Sequence, residues 1–188
     1  SVDIKASQNR DKKLLIAKKA QELILPEDAI ILASGSSITA FAEVLTPVNT
    51  INVVTPSLGI AVLLNEKENV KVFVLGGVMN KNSLSVRGGY TESGLVNVSC
   101  SKLFFGCDGI NFETGITCSN IEEARLTTAM MKSCAQTVVL ADSSKFGRRG
   151  FGKIGNIEDI DIIVTDSGIP DNMRSKSVDL GGRRIIEE

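Results

Sequence analysis

The sequence predicts an α/β domain: a mainly parallel sheet with helices on both faces. Two observations carry this. Short, continuous apolar runs recur along the chain, and segments with helical spacing of apolar residues lie between them. The runs also end, one after another, in small or polar residues. That is the edge at which an open α/β sheet places its ligands.

Residues 1–10 are polar and are expected to be a flexible lead-in, with the folded domain over 11–188. Between 11 and 24, Leu14, Leu15, Ala17, Ala20, Leu23 and Ile24 recur at helical spacing. Leu25-Pro26-Glu27-Asp28 closes that helix as a turn. Residues 29–33 form the first apolar run, followed by a helix over 38–45. The second strand spans 51–55 and leads into a helix ending near 65; the third spans 70–75. After a Gly- and Ser-rich middle section comes a strand over 102–107. An amphipathic helix covers 119–134, with Ser119 or Asn120 as cap and Glu122 and Glu123 in its first turn. Strands over 137–141 and 161–165 follow, and 183–186 reads as a last edge strand.

The composition sets limits. At 188 residues and 43% hydrophobic, the chain is long enough to bury a core without disulfides or metals. It has no histidine, which excludes Ser-His-Asp and Cys-His relays and imidazole acid–base chemistry. Its 21 basic and 22 acidic residues argue against direct nucleic-acid binding, which needs a basic excess to neutralise phosphates. Cys100, Cys107, Cys118 and Cys134 have no zinc-ligand spacing and read as reduced thiols in or near the core. No signal peptide and no membrane-length apolar stretch is visible, so a cytoplasmic protein is expected, with no metal, cofactor or membrane partner.

The candidate site residues are those at the strand ends. Ser34-Gly35-Ser36-Ser37 joins a strand to a helix start. Gly35 allows a tight turn, and Ser36, Ser37 and the free N–H groups of the helix can donate to an anion. A plain N-cap explains the segment equally well, and without the lysine of a nucleotide P-loop it is not one. Thr55 and Ser57 end the second strand, with Ser57 placed to cap the next helix. Gly76 and Gly77 permit either close approach of a ligand or a turn with positive φ. Asp108, followed by Gly109, can accept hydrogen bonds from sugar hydroxyls, act as a base, or form an Asx-turn. Asp142-Ser143-Ser144-Lys145 opens a basic stretch in which Lys145 can meet a phosphate as a point charge or sit in solvent.

Together these segments resemble the C-terminal effector-binding domain of the DeoR family of bacterial transcriptional repressors. The pattern includes Ser34-Gly35-Ser36-Ser37, Val54-Thr55-Pro56-Ser57-Leu58, Leu75-Gly76-Gly77, Phe104-Phe105-Gly106-Cys107-Asp108-Gly109-Ile110, Glu123-Ala124, Ala141-Asp142-Ser143-Ser144-Lys145-Phe146 and Val164-Thr165-Asp166. The resemblance implies a fold similar to ribose-5-phosphate isomerase and the CoA transferases. It also implies a phosphorylated sugar effector, and operator DNA bound by a winged helix-turn-helix absent from this chain. On this reading Gly35, Ser36 and Ser37 hold the phosphate with Lys145. Thr55, Ser57, Gly76 and Gly77 line the crevice, Asp108 and Gly109 face the sugar, and Ser34 is a further ligand-binding residue. A homodimer or homotetramer is expected. The chain departs from the family at Ala33, where Asp is usual, and at Pro56, where Asn is usual.

The rival reading is a sugar-phosphate isomerase of the same fold. Such an enzyme needs a carboxylate base and an electrophile for the enediolate oxygen. Asp108 is present, but residues 103–131 contain no lysine and Asn111 stands near the place of a second Asp. On these grounds a sensor is expected rather than an enzyme.

Overall fold

The computed structural model describes residues 7–178 and 184–187. Its centre is a seven-stranded parallel sheet. In chain order its elements are α1 (Arg10–Gln21), β1 (Ala29–Leu32), α2 (Ser36–Val44), β2 (Ile51–Thr55), α3 (Leu58–Asn65) and β3 (Val70–Val74). There follow β4 (Val78–Asn80), β5 (Ser85–Arg87), a short α4 (Gly89–Ser93), β6 (Cys100–Phe105), β7 (Gly109–Asn111) and β8 (Gly115–Cys118). The last part holds α5 (Ile121–Lys132), β9 (Cys134–Leu140), β10 (Gly152–Gly155), β11 (Ile162–Thr165), α6 (Asp171–Val178) and β12 (Arg184–Glu187).

The expected parallel sheet is therefore present, and β12 pairs with β11 as its edge. Alternation along each strand divides the core in two. Ile30, Leu32, Val53, Phe104, Val138, Leu140 and Val164 face one side, where Ile16, Ala17, Ala20, Ile38, Phe41 and Leu64 of α1–α3 cover them. The Phe41 and Phe104 rings meet there at 4.7 Å between centroids. Ile31, Leu103, Phe105, Val139 and Ile163 face the other side, against Ala124, Leu126 and Met130 of α5.

The middle section is more ordered than its Gly and Ser content suggested. β4 and β5 form a hairpin, and β7, β8 and β10 form a separate antiparallel sheet. Strand β3 is an edge, with Phe73 and Val74 about half exposed. At the start of the described residues α1 begins at Arg10, and Asn9 is bonded to Asp142 across the domain. Residues 1–6 lie outside the described residues.

The strand order fixes the place of the crevice. From β1 the chain moves outward through β2 and β3; from β6 it moves the other way through β9, β11 and β12. The helix after β1 packs on one face and α5 packs on the other. The loops beyond β1 and β6 thus diverge, which opens a crevice at the carboxyl ends of these strands.

Candidate ligand site

A pocket occupies that crevice. Its wall includes Ser34, Gly35, Ser36 and Ser37 after β1, Gly106, Cys107 and Asp108 after β6, and Asp142 and Lys145 after β9. Glu123 from the first turn of α5 and Gln8, Asn9 and Lys13 at the head of α1 complete it, with Cys118.

The helix start is the anion-binding part. Gly35 is the N-cap of α2 at φ 121°, a region that L side chains rarely adopt. A Cβ there would touch nothing within 4 Å, so the backbone angle alone asks for glycine. Gly35 carbonyl accepts the Thr39 N–H at 2.9 Å and its hydroxyl at 3.1 Å. Gly35 has no side chain with which to cap α2, and the first turn of the helix, at Ser36 and Ser37, lines the pocket.

Lys145 supplies a cation from a different element. It ends a single 3-10 turn, Ser143–Lys145, which begins directly after Asp142. Asp142 sets this turn by accepting the Ser144 N–H at 3.0 Å. The Lys145 ammonium then lies 3.9 Å from Asp108 Oδ1, and both side chains are largely shielded. The other oxygen, Oδ2, accepts the Ser119 N–H at 2.9 Å, so Asp108 is held to the loop before α5. Glu123 is fixed through Asn120, which accepts the N–H groups of Glu122 at 2.8 Å and Glu123 at 3.1 Å.

Burial pushes the Cys107 thiol up to about 12, against the nearby Lys145 cation, which acts the other way. The pocket thiol is therefore neutral at physiological pH and is no nucleophile. The four cysteines are free.

The remaining strand-end residues are not brought into the pocket. Thr55 is fully buried and accepts the Ser57 N–H at 3.1 Å. Ser57 accepts the Ile60 N–H at 3.3 Å as the cap of α3. Gly77 lies against Thr91 and Arg87, and Gly109 is packed against Arg148 and Thr117, with no room for a side chain at either. Gly76 is exposed at the tip of β3 with open space around it. Arg148, Arg149 and Lys153 are exposed outside the pocket wall.

Sequence reasoning left Gln8, Asn9 and Lys13 out of the site. Lys13 is buried, and its ammonium donates to the Gln8 carbonyl at 2.7 Å. Asn9 offered no local signal, because its partner is 133 residues away. Asp142 and Glu123 did stand in recognisable motifs; a strand-end carboxylate and a first-turn glutamate were the available signals.

This arrangement is a polar pocket at the carboxyl edge of a parallel α/β sheet, lined by hydroxyls, carboxylates and lysines. Residues 8–167 match the family model described as the DeoR C terminal sensor domain, and the chain belongs to that family. It is 35% identical over 170 residues to a protein of Escherichia coli O157:H7 named for transcriptional repression of the aga operon. That match covers 90% of this chain and 63% of the relative. It is 30% identical to the HTH-type transcriptional regulator GlpR of Haloferax volcanii, over 97% of this chain and 71% of the relative. The HTH-type transcriptional repressor GlcR of Bacillus subtilis is 28% identical, over 94% and 67%. The chain thus spans about three fifths to seven tenths of the length of these relatives.

Among solved structures the fold is similar to ribose 5-phosphate isomerase A of Methanocaldococcus jannaschii. The TM-score is 0.56 at 20% identity, over 74% of this chain and 55% of that one. The isomerase of Neisseria gonorrhoeae gives 0.52 at 20%, over 71% and 52%. The translation factor eIF2B beta of Chaetomium thermophilum shares the fold at 0.54 and 15%, over 76% and 41%. Among the described residues no helix is long and apolar enough to cross a membrane.

Proposed function

We propose that this domain binds a phosphorylated sugar or sugar derivative and thereby modulates operator binding by a winged helix-turn-helix of the full-length repressor. One observation carries the reading: a helix start with glycine at its N-cap, two lysines and three carboxylates converge in one pocket. The N–H groups after Gly35, with Ser36, Ser37 and Lys145, suit a phosphate. Asp108, Glu123 and Asp142 suit the hydroxyls of a sugar, since ionised carboxylates only accept. Ser34 lies at the same edge. Thr55, Ser57, Gly76, Gly77 and Gly109 support the neighbouring turns on this reading. The domain would act in the cytoplasm as a homodimer or homotetramer, and without turnover.

The isomerase reading gains one observation. The lysine missing from 103–131 is supplied from elsewhere in the chain, as Lys145 beside Asp108. The family match still favours a regulator. Thermal shifts with ribose 5-phosphate, glucose 6-phosphate, fructose 1-phosphate and the bare sugars test the ligand class. A phosphorylated compound should raise the Tm by mass action. An equal response to the bare sugars, or none to any phosphate, refutes the phosphate site. Lys145→Ala should weaken the best compound roughly ten- to a hundredfold, the range of a charge-assisted hydrogen bond, with Tm nearly unchanged. Conversion of ribose 5-phosphate to ketose, followed by NMR, would establish the isomerase instead.

A further inference from the structure

The wall formed by residues 8–13 is built differently from the other walls. The strand tips and helix starts are anchored directly in the sheet. Gln8 and Asn9 precede α1 and belong to no strand. Asn9 occupies the N-cap position of α1, where an Asn side chain ordinarily accepts from the helix's own first-turn N–H groups. It does not do so here. Its backbone is left-handed at φ 55°, and its amide instead donates to Asp142 Oδ1 at 3.2 Å.

The pocket is small. Its volume is about 70 Å³. Sites that enclose a small organic ligand measure roughly 300 Å³ or more. A phosphorylated sugar needs more room than the pocket offers, and the turn before α1 is joined to the β9 tip across the pocket by the Asn9–Asp142 bond. The rest of α1 is fixed independently. Lys12 donates to Asp166 Oδ2 at 2.9 Å and to Ser143 Oγ at 3.1 Å, and Ile16, Ala17 and Ala20 are in the core. The Gln8 carbonyl accepts from the Lys13 ammonium and the Asn9 carbonyl from the Lys13 N–H, so the turn is tied to α1, and the Asn9 side chain joins it to the β9 tip across the pocket.

We infer that Asn9 is a latch on the ligand pocket. A bound phosphorylated sugar takes over the Asp142 carboxylate with a hydroxyl, frees the Asn9 amide and releases the turn before α1. The inference rests on the proposed ligand class and adds the route by which occupancy is reported: through the chain N-terminal to α1. The displaced donor and the incoming hydroxyl compete for one carboxylate, so latch closure and ligand binding oppose each other by linkage.

The test combines calorimetry with hydrogen exchange, using ribose 5-phosphate, glucose 6-phosphate, fructose 1-phosphate and inorganic phosphate. Asn9→Gly removes the amide and tolerates φ 55°, so the variant folds. With the best-binding compound at saturation, amides of 7–13 should exchange severalfold faster in the unsubstituted chain. Those at the start of α2 should exchange more slowly. Asn9→Gly should bind the same compound about three- to tenfold tighter, the worth of one hydrogen bond, and show the fast exchange without ligand. Weaker binding by Asn9→Gly, or slower exchange at 7–13 on binding, makes Asn9 an ordinary ligand contact and overturns the latch. Binding with unchanged exchange removes the latch and leaves the ligand class standing. Failure of every compound to bind removes both.

Discussion

The tips of β1 and β2 are neighbours in the sheet and similar in sequence, yet they do different work. Ser34-Gly35-Ser36-Ser37 and Thr55-Pro56-Ser57 both join a parallel strand to a helix through hydroxyl residues. At β2 the hydroxyls turn inward. Thr55 and Ser57 are buried, and Ser57 caps α3. At β1 a glycine takes the N-cap position, so no side chain of its own satisfies α2, and the helix start faces a pocket. A hydroxyl at the cap seals a helix start; a glycine there leaves its donors to a ligand.

The largest effect should come from closing the open tip with charge. Ser37→Asp places a carboxylate in the first turn of α2, where the dipole favours it. Folding stability should change by less than about 1 kcal/mol. Affinity for the phosphorylated compound should fall at least about a hundredfold, because the carboxylate occupies and repels the phosphate position. Urea unfolding and calorimetry on the same preparation check both halves. Retained affinity would place the phosphate elsewhere.

The closed tip should respond the opposite way. Ser57→Ala removes the α3 cap and should cost about 1 kcal/mol in urea unfolding. Affinity for the same compound should be unchanged, since Ser57 does not line the pocket. A marked affinity loss would bring the β2 tip back into the site.

This contrast also explains what the sequence revealed. Central parallel strands are buried on both faces, so β1, β2, β6, β9 and β11 stand out as apolar runs. The runs show that the strands exist and not their order, since order depends on long-range pairing. The β4–β5 hairpin and the β7–β8–β10 sheet escaped notice because their strands are only three or four residues long, and β7, β8 and β10 each begin with Gly. Such segments carry too few alternations to register a period. Of the site, Ser34 to Ser37, Asp108 and Lys145 were legible because each follows an apolar run. Thr55 and Ser57 carried the same signal, and whether a tip hydroxyl faces its own backbone or a cavity is decided by packing. Asn9 and Lys13 were invisible as site residues because they reach the pocket from the head of α1, across most of the sequence.

The β11 tip extends the comparison and carries the smallest expected effect. Asp166 is buried there and serves the fold. Burial alone would raise its carboxyl, but the Ser143 N–H, the Lys12 ammonium, the Ser143 hydroxyl and the Gly168 N–H outweigh it and hold the pKa below the ordinary value of 3.8. The folded state thus binds fewer protons than the unfolded state near that value, and stability falls as the pH falls. The contribution is fully present above about pH 5 and is lost on acidification through the folded-state pKa. Asp166→Asn removes this dependence. In urea unfolding the gap between the parent chain and the variant should stay constant from pH 7 to about pH 5 and narrow towards pH 3. Asp28, held low by the Leu25 N–H and by Lys102 and Ser101 against its own burial, titrates in both proteins and cancels in the difference. A gap that does not change with pH would mean that Asp166 acts through shape alone. A gap that narrows identifies the charge, and places the β11 tip with β2 as one whose polar groups are spent on the fold.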